Sequence, residues 1–396
     1  MQRSKSQTET TGGKRSPANV VPPQRTMGKP RATIERLDVS IYRIPTKTPE
    51  ADGTISWDST TMVLVEAVAD SGHRGIGFIY ASAAAAMVIR DQLAPIAVGR
   101  SVDEVRSVWG AMLATVRNVG RPGIAATAIS AVDIALWDLK ARVAGQALYI
   151  HLGACREEVP IYGSGGFTTY SEHQLAEQLA GWVDSGISQV KMKIGKGWGT
   201  KPEEDIARIR IARQAIGPGA ELFVDANGAY TAKQAIDLAQ RFAEYGVSWF
   251  EEPVSSDQLS QLALIRQRVS MRVAAGEYGY DPWYFRDMLR ADAVDVLQAD
   301  ATRCLGFSGW LEAGMLAHSF ALPFSAHTAP SIHAQIGCVV PEILNVEYFY
   351  DHARIEEIFF EGLPSLTHGC LRPDPDLPGL GFELKRPDVE KWRIAG

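Results

Sequence analysis

From Ile34 onward apolar and polar positions alternate with a period of two, so that Leu37, Val39 and Ile41 fall on one side of an extended chain. Residues 61–69 and 75–80 repeat the pattern on either side of the turn Asp70-Ser71-Gly72, which predicts an antiparallel meander. A polar segment over residues 49–59 reads as the loop between the first two strands. Helical spacing follows over residues 82–98, 102–116 and 125–144, and strands and helices together form an α+β module over residues 31–157. After Val159 the texture changes to short apolar runs, each followed by an amphipathic stretch. The runs lie at residues 159–162, 189–194, 222–224, 248–250, 272–275, 294–298, 322–325 and 344–346. Between them, Ala235, Leu238, Ala239 and Phe242 show the i, i+3, i+4, i+7 spacing of a helix packed on a sheet. Eight such units predict an α/β fold, a TIM-like (β/α)7-8 barrel over residues 158–364 whose active site lies at the carboxyl ends of the strands. Residues 365–396, with Leu377-Pro378-Gly379-Leu380-Gly381, have no barrel period and are expected to return to the first module.

The length of 396 residues agrees with two packed units rather than one core. Residues 1–30 are polar, carry Pro, Gly, Ser and basic side chains, and offer almost nothing to bury, so they read as a disordered tail. The tail lacks the apolar stretch of a secretory signal, and Met27 is a candidate start. With 46% hydrophobic and 22% charged residues and no run long enough to span a bilayer, no membrane partner is expected. A net charge of −6 gives no broad cationic surface, so nucleic acid is not expected as a partner. Cys155, Cys304, Cys338 and Cys370 lie far apart and form no CxxC pair, which argues against a zinc knuckle or a disulfide framework and for the reduced cytoplasm.

Against that background the strand ends carry the chemistry. Asp225 in VDANG, Glu251 in WFEEP and Glu277 in AAGEYG sit just past successive strands. Any one of them alone reads as a solvated strand end; three in register converge in a barrel. Hard oxygen ligands without neighbouring Cys or His suit Mg²⁺, with Mn²⁺ as a substitute, rather than zinc. Glu252 points the other way on an extended backbone and is expected to stand behind the ligands. Lys191 and Lys193 share one strand face, and two ammonium groups so close, beside a metal, are expected to lower each other's pKa enough to make one a base. Asp300 and His327 end neighbouring strands, where a carboxylate beside an imidazole fixes its tautomer. Glu347 follows the eighth run, placed to donate from a protonated carboxyl to a developing oxyanion. Together these groups solve the removal of a proton next to a carboxylate, whose product is an enolate dianion.

In these motifs the chain resembles the mandelate racemase subgroup of the enolase superfamily over nearly everything after residue 31. VKMKIG is similar to the subgroup's KxK strand, which implies Lys193 as base and Lys191 as its electrostatic partner. VDANG, WFEEP and GEYG resemble its metal-ligand strands, Asp300 and His327 its dyad, and Glu347 its oxyanion donor. The resemblance further implies Asn227 as a substrate contact, and a closing loop of a capping domain at residues 49–59 with Trp57 and Asp58, while the barrel-loop residue Arg303 is a further candidate for contact with the substrate. Muconate-cycloisomerase-like members carry lysine where Asp300 stands, and glucarate-dehydratase-like members carry asparagine where Glu277 stands; both departures favour the mandelate racemase subgroup. The activity so implied is an acid-sugar (aldonate or aldarate) dehydratase acting on a small carboxylate in a homo-oligomer, with a racemase, epimerase or lactone cycloisomerase as the enzymatic alternative. A catalytically silent scaffold would be expected to have lost some of these groups, and the sequence keeps all of them.

Overall fold

The alternation beginning at Ile34 is realised as β1 (Ile34–Ala51), which pairs antiparallel with β2 (Ser56–Ala69), and β2 in turn with β3 (Arg74–Tyr80). The computed structural model describes residues 32–395, so the expected tail and the candidate start Met27 lie outside the described residues. Residues 49–59 are not the expected loop. Glu50 pairs with Trp57 and Ala51 with Ser56, so the ladder continues to a tip of four residues, 52–55. The segment is polar because this end of the ribbon lies at the mouth of a cavity instead of over a hydrophobic core, and polarity alone does not separate a loop from such a strand.

Helix Ala126–Ala144 packs across the meander and is buried on nearly every side. Gly75 and Gly77 on β3 permit this, since a Cβ at either would stand 2.2 Å from the carbonyl of Ala135 or Ala131. Contrary to the sequence expectation, the helical stretch Arg121–Ala144 is long and apolar enough to cross a membrane. Its apolar window is 83% buried inside the protein, and the same composition serves a core helix.

The barrel strands are β4 (Val159–Gly165), β5 (Gln189–Lys193), β6 (Glu221–Asp225), β7 (Val247–Glu251), β8 (Arg272–Ala275), β9 (Val296–Ala299), β10 (Phe324–Ala326) and β11 (Ile343–Phe349). Each runs parallel to the next, and β11 closes on β4 through Val346 opposite Ile161 and Glu347 opposite Tyr162. All eight expected runs are strands. The two that meet at the closure extend three residues further than the apolar pattern does, which brings Ser164 and Glu347 inside strands. Tyr162, Phe223, Trp249, Ala274 and Val296 fill the interior, with Phe223 and Trp249 stacked at 4.9 Å between centroids. This plug confines polar chemistry to the carboxyl ends of the strands.

The C-terminal segment is tied to the meander side through Asp138. Its two oxygens accept from Ile76 N at 2.6 Å, Leu380 N at 2.6 Å and Arg142 Nε at 2.8 Å. Residues Arg393–Ala395 then add a short antiparallel strand to β1.

Candidate active site

The barrel register aims the expected residues at one place. Lys191 and Lys193 point inward from β5, Asp225 and Glu251 end β6 and β7, and Glu277 lies two residues past β8. Gly276 makes that last placement possible: its φ is +136°, and a Cβ there would stand 2.0 Å from Gln298 O. One carboxylate oxygen from each of Asp225, Glu251 and Glu277 falls within 4.8 Å of the others, and all three residues are buried. Several residues just beyond the strand ends hold left-handed backbone without being glycine: Asn227 (φ 45°), Glu252 (36°), Thr328 (48°) and Ala329 (39°). Strain of this kind persists only where surrounding structure over-determines it, and here it turns the chain sharply behind the candidate site side chains.

The three acids suit a divalent cation. All donors are carboxylate oxygens, and Glu277 Oε2 is buried with no hydrogen bond, although His327 Nε2 lies 3.2 Å away. Glu251 is held by Trp249 Nε1 at 2.9 Å and Gln298 Nε2 at 3.0 Å on Oε2, while Oε1 accepts from Lys191 Nζ. Negative charge is in surplus. Burial, and then the charges of Glu277, Asp225 and Glu251, push the carboxyl of Glu252 far above its usual range. Glu252 is buried in the acidic cluster's surroundings, in keeping with its expected place behind the ligands, although its backbone is left-handed and not extended.

Among the acids alone, before any charge from a cation is counted, both lysines are raised and not lowered. Burial, the largest single influence, and Lys191 both work to lower Lys193, but the carboxylates of Asp225, 2.5 Å from its Nζ, and of Glu277 and Glu347 together outweigh them and hold it above the ordinary range. Lys191 is raised likewise: it pairs with Glu251, with Glu347 at 2.8 Å and with Asp225 at 3.5 Å, and lies over the Tyr162 ring at 5.1 Å. The sequence expectation sets the second lysine and a metal against the first and leaves the acids on the neighbouring strands out of the balance. Glu347 is corrected for the same reason. Burial would raise its pKa, yet Lys191, His327 and Lys193 bring it well below the carboxylate range, so it is an acceptor and not a protonated donor. It takes hydrogen bonds from Ser164 Oγ at 2.6 Å and Thr328 N at 3.1 Å.

On the far side, His327 Nδ1 bonds Asp300 Oδ2 at 2.9 Å. Asp300 is locked by Thr302 N and Oγ1, both at 2.7 Å, and lies below the usual carboxylate pKa; burial opposes this, and His327 and Arg303 bring it about. Lys193 and His327 thus enter from β5 and from the end of β10, with the three carboxylates between them. Both line a cavity of about 360 Å³, together with Asn227, Glu277, Arg303 and Trp57. Asp58 does not join them: it is exposed, accepts from Ser59 Oγ at 3.1 Å, and is not part of the cavity wall. Sequence reasoning passed over Ser164, Thr328, Tyr80 and His352. The last two stack at 3.5 Å on the cavity wall. Ser164 could have been found by extending the first strand to its full length; the Tyr80 and His352 pair joins elements far apart in sequence and leaves no local signal.

Two family comparisons cover most of the chain. Residues 174–389 match the family described as Enolase C-terminal domain-like, and residues 33–153 match Mandelate racemase / muconate lactonizing enzyme, N-terminal domain. The chain belongs to the enolase superfamily, in its mandelate racemase/muconate lactonizing enzyme subgroup. This enolase-superfamily enzyme is similar to a mandelate racemase/muconate lactonizing enzyme-like protein from Rubrobacter xylanophilus. The two share 48% identity with a TM-score of 0.88 over 91% of this chain and 100% of that chain. It is also similar to L-talarate/galactarate dehydratase from Salmonella typhimurium LT2, solved with Mg and L-lyxarohydroxamate. There the TM-score is 0.84 at 27% identity, over 92% of this chain and 93% of that chain. D-galactarolactone cycloisomerase from Agrobacterium fabrum is 30% identical over 381 residues, covering 92% of this chain and 99% of that protein.

One buried acid near the cavity gives a pH prediction. Glu50 is fully buried, accepts from Trp57 Nε1 at 3.0 Å, and is pushed up to about 8 by burial and then by Asp351. Above about pH 4.5 the unfolded chain releases a proton that the folded enzyme keeps until about pH 8. Stability is therefore lost as pH rises through that window and levels off above it. In Glu50→Gln this loss is absent, so its melting temperature gains on the wild type between pH 5 and pH 8, by an amount equivalent to roughly 1–3 kcal/mol. Parallel pH profiles for the two proteins would contradict the assignment.

Proposed function

We propose that the enzyme dehydrates an acid sugar, an aldonate or an aldarate, with Asp225, Glu251 and Glu277 holding Mg²⁺ or Mn²⁺. When bound, the cation supplies charge for the substrate carboxylate and relieves the repulsion among its three ligands. Lys193, an ammonium while it is paired with Asp225 alone, would serve in its neutral form as the base for the proton next to the carboxylate, a form that a cation held by Asp225 would favour by offsetting that carboxylate's charge. The Lys191 ammonium, fixed by Glu251 and Glu347, stabilises the charge that develops, and Glu347 acts by positioning that ammonium. His327, oriented by Asp300, delivers a proton to the neighbouring hydroxyl as it leaves as water, and the enol product tautomerises to a 2-keto acid. Asn227 Oδ1, buried without a hydrogen bond, and Arg303 and Trp57 on the wall contact the sugar.

The observation that carries this reading is the placement of Lys193 and His327 in one cavity on separate strands, with the acidic trio between them. The similarity to the Salmonella dehydratase supports the reaction class and the metal. The similarity to the Agrobacterium cycloisomerase supports the second reading, in which the same two groups serve an isomerisation. Screening a library of acid sugars with Mg²⁺ for 2-keto product is the test. Isomer or epimer formed without 2-keto product replaces the dehydratase by the second reading.

A further inference from the structure

The two walls of the cavity differ in charge. On the barrel wall, Lys193 is bonded to Asp225, and Arg303 spans Glu277 at 3.3 Å and Asp300 at 3.5 Å with its guanidinium 5.0 Å from the Tyr278 ring. His327 completes the groups there that can carry positive charge. The capping wall presents Asp52, Ser59, Thr60, Thr61, Tyr80 and Ser82, and no lysine or arginine among the described residues. Asp52 caps the hairpin tip, accepting from Thr54 N at 2.5 Å and Ile55 N at 2.9 Å.

The groups behind that wall add to the asymmetry. Asp351 accepts from Thr60 Oγ1 at 2.6 Å, and its partner Arg354 also reaches back to Pro45 O at 2.9 Å. Glu50 lies buried behind Trp57, its carboxyl raised by burial and then by Asp351, with Arg354 opposing. His352, between the walls, accepts from Ala329 N at 3.4 Å on Nδ1 and is brought down to about 3, mainly by burial, so it enters as a neutral donor.

We propose that the cavity selects acid sugars with a single carboxylate, whose far end is neutral and hydroxylated, over diacids of the same stereochemistry. This rests on the acid-sugar reading above, which places the reacting carboxylate at the strand ends and the far end of the sugar against the capping wall. Hydroxyls there meet Ser, Thr and Tyr side chains and the imidazole of His352. A second carboxylate would lose water beside Asp52 and gain no cation.

The test compares matched pairs of aldonates and aldarates, differing only in oxidation of the terminal carbon, by kcat/KM and by α-proton exchange in deuterated water. The exchange ranks the two classes even where no product forms. The monoacid of a pair is expected to lead by roughly tenfold or more. Ser82→Arg, at an exposed position on the cavity edge, is expected to narrow that gap by raising the diacid. Diacids processed as well as or better than monoacids, with Ser82→Arg giving no change in ranking, overturn the proposal and leave the acid-sugar reading standing. Neither turnover nor exchange with any acid sugar overturns both.

Discussion

Replacing Lys193 by alanine, or His327 by asparagine, lowers overall turnover by about 10²–10⁴ in each case, the range removed with a general acid or base. The two losses differ in kind. Lys193 reaches the cavity from β5 and His327 from the end of β10, each held by its own carboxylate, Asp225 for one and Asp300 for the other. In deuterated water, His327→Asn should still exchange the α proton of a substrate that presents it to the lysine side, while product formation is lost. Lys193→Ala shows the mirror pattern, with exchange only from the histidine side. Proton NMR of recovered substrate reports the exchange separately from turnover, so binding and chemistry are read apart. Loss of exchange on both faces in either single variant, with folding intact, would mean that one residue performs both steps.

Stripping divalent cations abolishes activity, and Mg²⁺ or Mn²⁺ restores it. The acids at the strand ends outnumber the cations around them, and Glu277 Oε2 is left without a hydrogen bond inside the protein. A cation that binds only the folded enzyme also stabilises it, by about 2.7 kcal/mol at a hundred times its dissociation constant. Melting temperature thus gives a second readout that needs no substrate. In Glu251→Gln both effects shrink together, since that side chain joins the cluster to Lys191. Full turnover in metal-free enzyme, or a melting temperature indifferent to added Mg²⁺ in the wild type, would remove the metal from the mechanism.

Periodicity was enough to assign the meander, the eight strands and the outer helices, because side-chain burial on a strand or helix repeats at fixed spacing whatever the neighbours are. It also put Asp225, Glu251, Glu277, Asp300 and His327 at strand ends, and parallel register in a barrel then brings strand ends together. Boundaries were less legible. The barrel closure at β4 and β11 carries polar residues inward, so the apolar runs stopped before Ser164 and Glu347, and the polar residues 49–59 concealed a continuing ribbon.

What only the tertiary structure decided is electrostatic. Whether Lys193 holds its proton depends on Asp225 from the next strand, and whether Glu347 is ionised depends on Lys191 and His327 from two others. Spacing along one strand shows the two lysines facing each other's charge but not the acids that face both. The same holds for the cavity walls: Asp52, Tyr80 and His352 meet across long separations in the chain, and Asp58 turns away from the cavity that Trp57 lines. Local sequence sets which residues share a face, while charge and shape in a buried site are sums over every element that packs against it.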